Sequence, residues 1–248
     1  MSKQLSAHLK EVAERVNVAL DALLPRPEGP EARLMSALRY SALDGGKRLR
    51  PFFTLETGRM FDADETALLR TAVAIEIVHT YSLIHDDLPC MDDDDLRRGR
   101  PTLHREYGEA MAVLAGDALL TFAFEILADP ATHRDPQMRC LLVSALARAS
   151  GPLGMVAGQA ADMEGAEIGS DLIAVTRMNR LKTGALINFS VEAGAMIGCA
   201  TEAEKLSLSR YAHDVGLAFQ MVDDILDAEG VVRDTGKAVQ KDGARGKV

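Results

Sequence analysis

The sequence is poor in aromatic residues and in residues that build disulfide frameworks. It contains no tryptophan, and only 4% of its 248 residues are aromatic. Strand-like alternation of polar and apolar residues is scarce, whereas Ala, Leu, Glu and Met are abundant, and this composition favours helices. The three cysteines, Cys90, Cys140 and Cys199, are scattered and lack CxxC spacing. They argue against a disulfide framework and a zinc site and indicate a reducing compartment, so we expect a cytoplasmic protein.

The sequence also lacks an excess of basic residues and any long apolar run. Its net charge of −9 argues against non-specific nucleic-acid binding, which requires a basic surface. No run reaches the ~18 apolar residues of a membrane-spanning helix, and the amphipathic N-terminal stretch lacks the apolar core of a signal peptide. We therefore expect no membrane span. The length fits one large helical domain, residues 1–248, without linkers or repeats.

A dense block of charge follows the apolar run Ala72–Ile84. The stretch His85–Thr102 contains six aspartates and three arginines in eighteen residues. A solvated surface is the simplest explanation, but carboxylates this dense repel one another unless a cation lies between them. Oxygen ligands without cysteine or paired histidine favour Mg²⁺, which usually shares its ligands with phosphate oxygens, and the adjacent arginines are suited to binding phosphate.

A second acidic cluster, DDILD, ends the last predicted helix. Asp223 and Asp227 are four residues apart and share one helix face, with Asp224 beside them, so a cation again explains their spacing. If the two clusters face each other above apolar helices, a polar, metal-lined mouth opens over an apolar cavity. Such a cavity suits a diphosphate attached to a hydrocarbon chain, because the metal improves the leaving group and water is excluded.

In order and spacing, several motifs of this chain resemble those of the trans-type polyprenyl diphosphate synthases, and most closely the bacterial farnesyl diphosphate synthase group. The resemblance implies an all-α, isoprenoid-synthase-type bundle of about ten helices around a central cavity. It also implies a homodimer and Mg²⁺-dependent head-to-tail prenyl transfer, with about three Mg²⁺ ions when diphosphate is bound. Family members continue beyond the match to Gly246-Lys247, so we expect this chain to lack the family's C-terminal helices. The motifs are GGKRLRP, HTYSLIHDDLP, RRGRPT, AGDALL, GQAADME, KTGALI and GLAFQMVDDILD.

The resemblance assigns roles to individual side chains of this sequence. The Mg²⁺ ligands would be Asp86, Asp87, Asp92, Asp223 and Asp227. Contacts to the allylic diphosphate would come from Arg97, Lys182, Thr183, Gln220 and Lys237. Isopentenyl diphosphate would be held by Lys47, Arg50, His79 and Arg98. Catalysis would depend on Asp86, Asp87, Asp92, Arg97, Lys182, Asp223, Asp224 and Asp227.

Product length and three rival functions stay open at this point. Tyr81 lies five positions before Asp86, where the family's C15 synthases carry a bulky residue, and Ser82 beside it is small. Farnesyl diphosphate is therefore expected, with geranylgeranyl diphosphate as the alternative. The pair His85-Asp86 also permits an HD-type phosphohydrolase, although DDILD would then be unexplained. A terpene cyclase is the second rival, but such enzymes usually lack the basic motifs GGKRLRP and RRGRPT. A non-catalytic synthase subunit is the third, and it would typically have lost aspartates.

Overall fold

The computed structural model describes residues 3–165 and 171–229, with side chains described as far as Val222. Almost all of the secondary structure in these ranges is helical, which confirms the predicted all-α class. In chain order the elements are α1 (Lys3–Leu23), α2 (Ala32–Ala42), α3 (Leu49–Arg59), α4 (Glu65–Asp86), β1 (Leu96–Arg97), β2 (Arg100–Pro101), α5 (Leu103–Tyr107), α6 (Glu109–Ala128), α7 (Pro136–Ser150), α8 (Met155–Met163), α9 (Leu172–Asn179), a π-helix (Arg180–Gly184), α10 (Ala185–Ile197) and α11 (Glu202–Glu229).

Helix α4 is the centre of the hydrophobic core. Asp64 caps its N-terminus by accepting a hydrogen bond from the Ala67 amide at 2.8 Å, so the helix begins where the sequence predicts. Its apolar residues are buried around most of the circumference, against α3, α6 and α10. A helix buried on nearly all sides delivers its C-terminal residues, Asp86 and Asp87, into the interior of the molecule rather than into solvent.

The segment after α4 folds back onto the end of the helix. The Asp92 amide donates to the Asp86 carbonyl at 2.7 Å, and the Asp94 amide donates to the Asp87 carbonyl at 3.2 Å. The first acidic motif is therefore a helix end followed by a loop that wraps back onto it. Strands β1 and β2 then form a short antiparallel hairpin that the sequence did not predict.

The turn of this hairpin consists of two residues with positive φ. Arg98 has φ 54° and Gly99 has φ 80°, the combination of a type I′ turn. This turn matches the right-handed twist of the strands, so it closes the hairpin tightly. The three neighbouring cations reach different partners: Arg97 contacts Asp87, Arg98 at the tip contacts the Gly45 carbonyl, and Arg100 contacts Asp44.

A π-helix lies between α9 and α10, inside an otherwise α-helical segment. It spans Arg180–Gly184 and carries the motif residues Lys182 and Thr183. Gly158 of α8 packs directly on it: a Cβ at that position would lie 2.1 Å from the Lys182 amide nitrogen. Single π-turns inside α-helices are frequent at functional sites, and this one presents two predicted substrate contacts.

Within the described ranges 3–165 and 171–229, three helical stretches are long and apolar enough to cross a membrane when judged by length and composition alone. They are Glu65–Asp86, Glu109–Ala128 and Pro136–Met163. Most of the apolar window in Glu65–Asp86 is buried inside the molecule. The expectation that the chain has no membrane span, which came from counting consecutive apolar residues, stays a prediction.

Candidate active site

The first acidic motif is held in place by an arginine of the hairpin. The Asp87 carboxylate is buried and forms an ion pair with the Arg97 guanidinium, whose Nε donates to Oδ1 at 3.1 Å. Arg97 also lies 3.3 Å from the Asp94 carboxylate. Thr102 Oγ1 donates to the Asp94 carbonyl at 2.7 Å and fixes the other side of the loop. The acidic loop and the basic hairpin therefore form one connected unit.

Asp86 is the carboxyl group whose ionisation is most perturbed by the site. Burial raises the pKa of Asp86 to about 6. Asp92 and Asp87 contribute to the increase, whereas Lys182 and Arg97 oppose it. Lys182 of the π-helix and Asp92 of the loop must therefore both lie close to Asp86. Without a stronger cation this carboxylate is poorly stabilised, a pattern typical of functional sites.

The π-helix carries the second part of the site. Lys182 Nζ forms an ion pair with Asp162 Oδ2 of α8 at 2.7 Å. Thr183 Oγ1 donates to Gln220 Oε1 of α11 at 3.0 Å. Lys182, Thr183 and Gln220, three of the predicted allylic contacts, are therefore brought together, and Lys182 joins them to Asp86.

A basic pocket surrounds His79 on α4. Burial lowers the pKa of His79 well below its usual value, and four arginines lower it further, in the order Arg50, Arg98, Arg48 and Arg97. The structure thus places Arg50 and Arg98, two predicted contacts of isopentenyl diphosphate, beside His79, the third. A neutral imidazole next to several guanidinium groups leaves the pocket strongly cationic, which suits a diphosphate anion. Lys47, the fourth predicted contact, lies between α2 and α3 and is exposed.

The glycine pair before Lys47 allows this pocket to form. Arg98 Nη1 donates to the Gly45 carbonyl at 2.9 Å, and its guanidinium lies flat against Gly46. A Cβ at Gly46 would lie 2.8 Å from Arg98 Nη2, and the φ of 112° at this residue is one that L side chains rarely adopt. The glycines therefore bring the hairpin tip into contact with the GGKRLRP loop.

Tyr81, the predicted product-length residue, is buried one helical turn below Asp86. Its ring contacts the His85 ring edge-on, with 5.8 Å between centroids. His85 Nε2 lies 3.1 Å from the Val113 carbonyl, and Gly116 of α6 leaves the space that the ring occupies. His85 therefore faces α6, which disagrees with a metal-binding role in an HD-type site. Ser82 donates to the His79 carbonyl at 2.9 Å and makes no steric barrier of comparable size.

The donor chemistry of the first motif fits Mg²⁺. Asp86 and Asp92 supply adjacent carboxylate oxygens, the ligands that this ion prefers. Asp87 pairs with Arg97 through its Oδ1, and its Oδ2 lies outside that pair. Among the residues whose side chains are described, no three His, Cys, Asp or Glu are arranged to hold a metal ion. The roles of Asp86, Asp87 and Asp92 as ligands stay predictions.

Several predicted site residues lie where side chains are not described. The backbone of α11 is helical through Glu229, so Asp223, Asp224 and Asp227 lie on a helix, but their side chains fall outside the described residues. Lys237 lies outside the described residues altogether. Whether the two acidic clusters face each other across a cavity also stays a prediction.

Three polar residues in or next to the site were not among the predicted site residues. Asp162 pairs with Lys182, and Arg48 forms a buried ion pair with Glu76 below the basic pocket. Glu76 was detectable in the sequence as a charge inside an apolar helix. Asp162 and Arg48 each lie in a recognised motif, but neither spacing nor composition indicates which partner they contact.

Comparison with known proteins identifies the family. The polyprenyl synthetase family model matches residues 31–248. A farnesyl diphosphate synthase of Geobacillus stearothermophilus is 49% identical over 240 residues, which cover 96% of this chain and 80% of that protein. Geranylgeranyl pyrophosphate synthase 11, chloroplastic, of Arabidopsis thaliana is 43% identical over 240 residues, covering 95% and 67%. A crystal structure of geranyltransferase from Helicobacter pylori, complexed with magnesium and isoprenyl diphosphate, matches with a TM-score of 0.87 and 34% identity, covering 100% of this chain and 82% of the other. The chain belongs to the polyprenyl synthetase family.

Proposed function

We propose that this prenyltransferase is a farnesyl diphosphate synthase, which condenses isopentenyl diphosphate with dimethylallyl or geranyl diphosphate and releases pyrophosphate. The observation that carries the proposal is the presence of two neighbouring cationic sites. Arg97 and Lys182 lie beside the carboxylates, whereas Arg50 and Arg98 lie around neutral His79. An enzyme that joins two diphosphate esters needs two such sites, and a hydrolase or a cyclase needs only one.

In the proposed reaction the C–O bond of the allylic diphosphate breaks, and its electron pair leaves with the diphosphate. The double bond of isopentenyl diphosphate then donates an electron pair to the allylic carbon, and one proton is lost to the released pyrophosphate. Lys182 and Arg97 bind and orient the leaving group, and His79, Arg50 and Arg98 hold the second diphosphate. Buried apolar side chains around Tyr81 exclude water from the reacting carbons. No side chain is required as general base.

The carboxylates would hold the metal that this Mg²⁺-dependent family requires. We propose that Asp86, Asp87 and Asp92 bind it from one side and Asp223 and Asp227 from the other. The 3.0 Å contact between Thr183 and Gln220 supports this arrangement, because Asp223 and Asp224 follow Gln220 by three and four residues on the same helix. Magnesium, about three ions with diphosphate bound, would neutralise the diphosphate and make it a better leaving group.

The test is an incubation with isopentenyl and dimethylallyl diphosphates in Mg²⁺ or in EDTA, followed by dephosphorylation and chromatography of the alcohols. We expect farnesol in Mg²⁺ and no product in EDTA. An HD-type hydrolase would release phosphate from either substrate alone, and a non-catalytic subunit would give nothing in Mg²⁺. Either result refutes the proposal. Geranylgeraniol as the main product would retain prenyl transfer and replace the farnesyl assignment with the alternative.

Two further expectations belong to this proposal. We propose a homodimer, because α6 leaves Val113 and Leu114 exposed by 41% and 53%, and apolar patches of this kind are typical of interfaces. Light scattering should give twice the chain mass of 26.7 kDa, and the monomer mass would contradict it.

We also propose a cytoplasmic location, which fractionation of cells expressing the protein tests.

A further inference from the structure

Arg48 and Glu76 form an ion pair that lies wholly inside the protein. Arg48 Nη1 lies 2.6 Å from Glu76 Oε1, and the two side chains are 0% and 3% exposed. The other guanidinium nitrogens are also satisfied: Nε donates to Asn17 Oδ1 at 2.9 Å and Nη2 donates to the Ala42 carbonyl at 2.7 Å. One side chain of the GGKRLRP loop therefore connects α1, the end of α2 and α4.

The backbone at Arg48 is in the left-handed conformation, with φ 48° and ψ 41°. For a residue other than glycine this conformation is unfavourable, so the interactions of the side chain must hold it. Because the chain turns here, Arg48 points into the core while its neighbour Lys47 stays exposed and Arg50 lies beside His79. The direction of the two predicted diphosphate contacts therefore depends on where Arg48 is anchored.

The pair also lies directly beneath the basic pocket. Glu76 is three residues before His79 on α4, and both Glu76 and Arg48 are close enough to Arg98 to affect its ionisation. Burying an ion pair costs several kcal/mol per charge, and well-packed apolar residues of similar volume often give equal or greater stability. A contribution to stability is thus a weak explanation for the presence of this ion pair. Its position beneath the basic pocket suggests a role in building that pocket.

We propose that the Arg48–Glu76 ion pair positions the diphosphate site around His79, by fixing the loop that presents Lys47 and Arg50. The inference rests on the proposed function for the identity of the ligand, isopentenyl diphosphate. It assigns Arg48 and Glu76 no contact with substrate. Arg48 bonds to Asn17, the Ala42 carbonyl and Glu76, which lies ten residues before Asp86 on α4. The pair therefore controls the diphosphate site around His79 and leaves the site beside Lys182 and Asp86 unaffected.

The decisive variant replaces both partners with apolar residues, Arg48→Met together with Glu76→Met, which avoids leaving one charge buried alone. We expect a folded protein whose KM for isopentenyl diphosphate rises about 10-fold or more, while its KM for the allylic substrate changes less than about threefold. The matched control is Arg70→Met, which removes an arginine of α4 that pairs with Asp129 at 2.6 Å. That control should leave both KM values unchanged.

Binding of inorganic pyrophosphate in EDTA separates this proposal from the proposed function. Without metal the acidic cluster repels the anion, so calorimetry reports the basic pocket. We expect about 10-fold weaker binding in the double variant than in the wild type or the Arg70→Met control. If the wild type makes no prenyl product but this difference remains, only the proposed reaction fails. Equal pyrophosphate binding in a folded double variant, or parallel increases in both KM values, would overturn the positioning role.

Discussion

The substitution Gly158→Ala tests how α8 supports the π-helix. A Cβ at this position would lie 2.1 Å from the Lys182 nitrogen and 2.6 Å from its Cα, and both are backbone atoms. No side-chain rotation can relieve this overlap, since the obstacle is the chain itself. An ordinary contact begins near 3.4 Å, so the two segments must separate by about 1 Å or more. That movement is enough to break the 2.7 Å contact between Lys182 and Asp162.

The expected magnitude follows from two opposing effects. Overpacking of this kind costs about 1–3 kcal/mol, and the lost ion pair adds to the cost. The better helix propensity of alanine returns about 1 kcal/mol. A net loss of about 2 kcal/mol corresponds to a decrease in Tm of roughly 4–8 °C for a chain of this size. Displacement of Lys182 should also raise the KM for the allylic substrate more than the KM for isopentenyl diphosphate.

A glycine inside the π-helix provides the matched control. A Cβ at Gly184 would meet only Arg180 Cγ and the Asn179 carbonyl oxygen, each at 3.8 Å, which are ordinary contacts. Gly184→Ala should therefore keep or slightly raise the Tm, as an alanine does in a helix. Scanning calorimetry of both variants makes the comparison. Equal Tm values for Gly158→Ala and Gly184→Ala would refute the argument that α8 supports the π-helix through this contact.

Two further predictions concern α4. The pKa of His79 is lower in the folded than in the unfolded protein, so the unfolded state takes up a proton first, and stability falls below about pH 6.5 by up to ~1.4 kcal/mol per unit. Denaturant unfolding at pH 7 and pH 5 should show a smaller decrease for His79→Gln, and identical decreases would contradict the buried, neutral histidine. Tyr81→Ala removes the buried ring that contacts His85 below Asp86, so the product should lengthen beyond C15. Chromatography of the dephosphorylated products checks this, and unchanged C15 output excludes Tyr81 as the floor of the cavity.

The sequence predicted those parts of the fold that depend on local patterns. The apolar run Ala72–Ile84 lies inside helix α4, and the acidic block that follows it lies at the end of that helix and in the loop folded back on it. The hairpin was missed because strands of two residues are too short for alternation to appear. Its only local signal was Arg98-Gly99, a weaker turn sequence than Asn-Gly.

The π-helix and the buried ion pair depend on contacts between distant segments. One extra residue in a helical turn leaves the apolar periodicity on both sides nearly intact, so no local pattern marks the π-helix. The contact that accompanies the π-turn, Gly158 against Lys182, joins residues far apart in the chain. Likewise, the family resemblance assigned Lys47 and Arg50 of GGKRLRP to a diphosphate site, but only the fold shows that Arg48 lies in the core.

Simultaneous binding of the two diphosphate substrates tests the central claim most directly. Calorimetry in Mg²⁺ would titrate isopentenyl diphosphate into the protein with and without a non-reactive allylic analogue in which sulfur replaces the bridging oxygen. Two neighbouring sites predict that the analogue leaves the isopentenyl diphosphate stoichiometry unchanged at one per chain. Loss of isopentenyl diphosphate binding in proportion to analogue occupancy would mean a single shared site and would contradict the account.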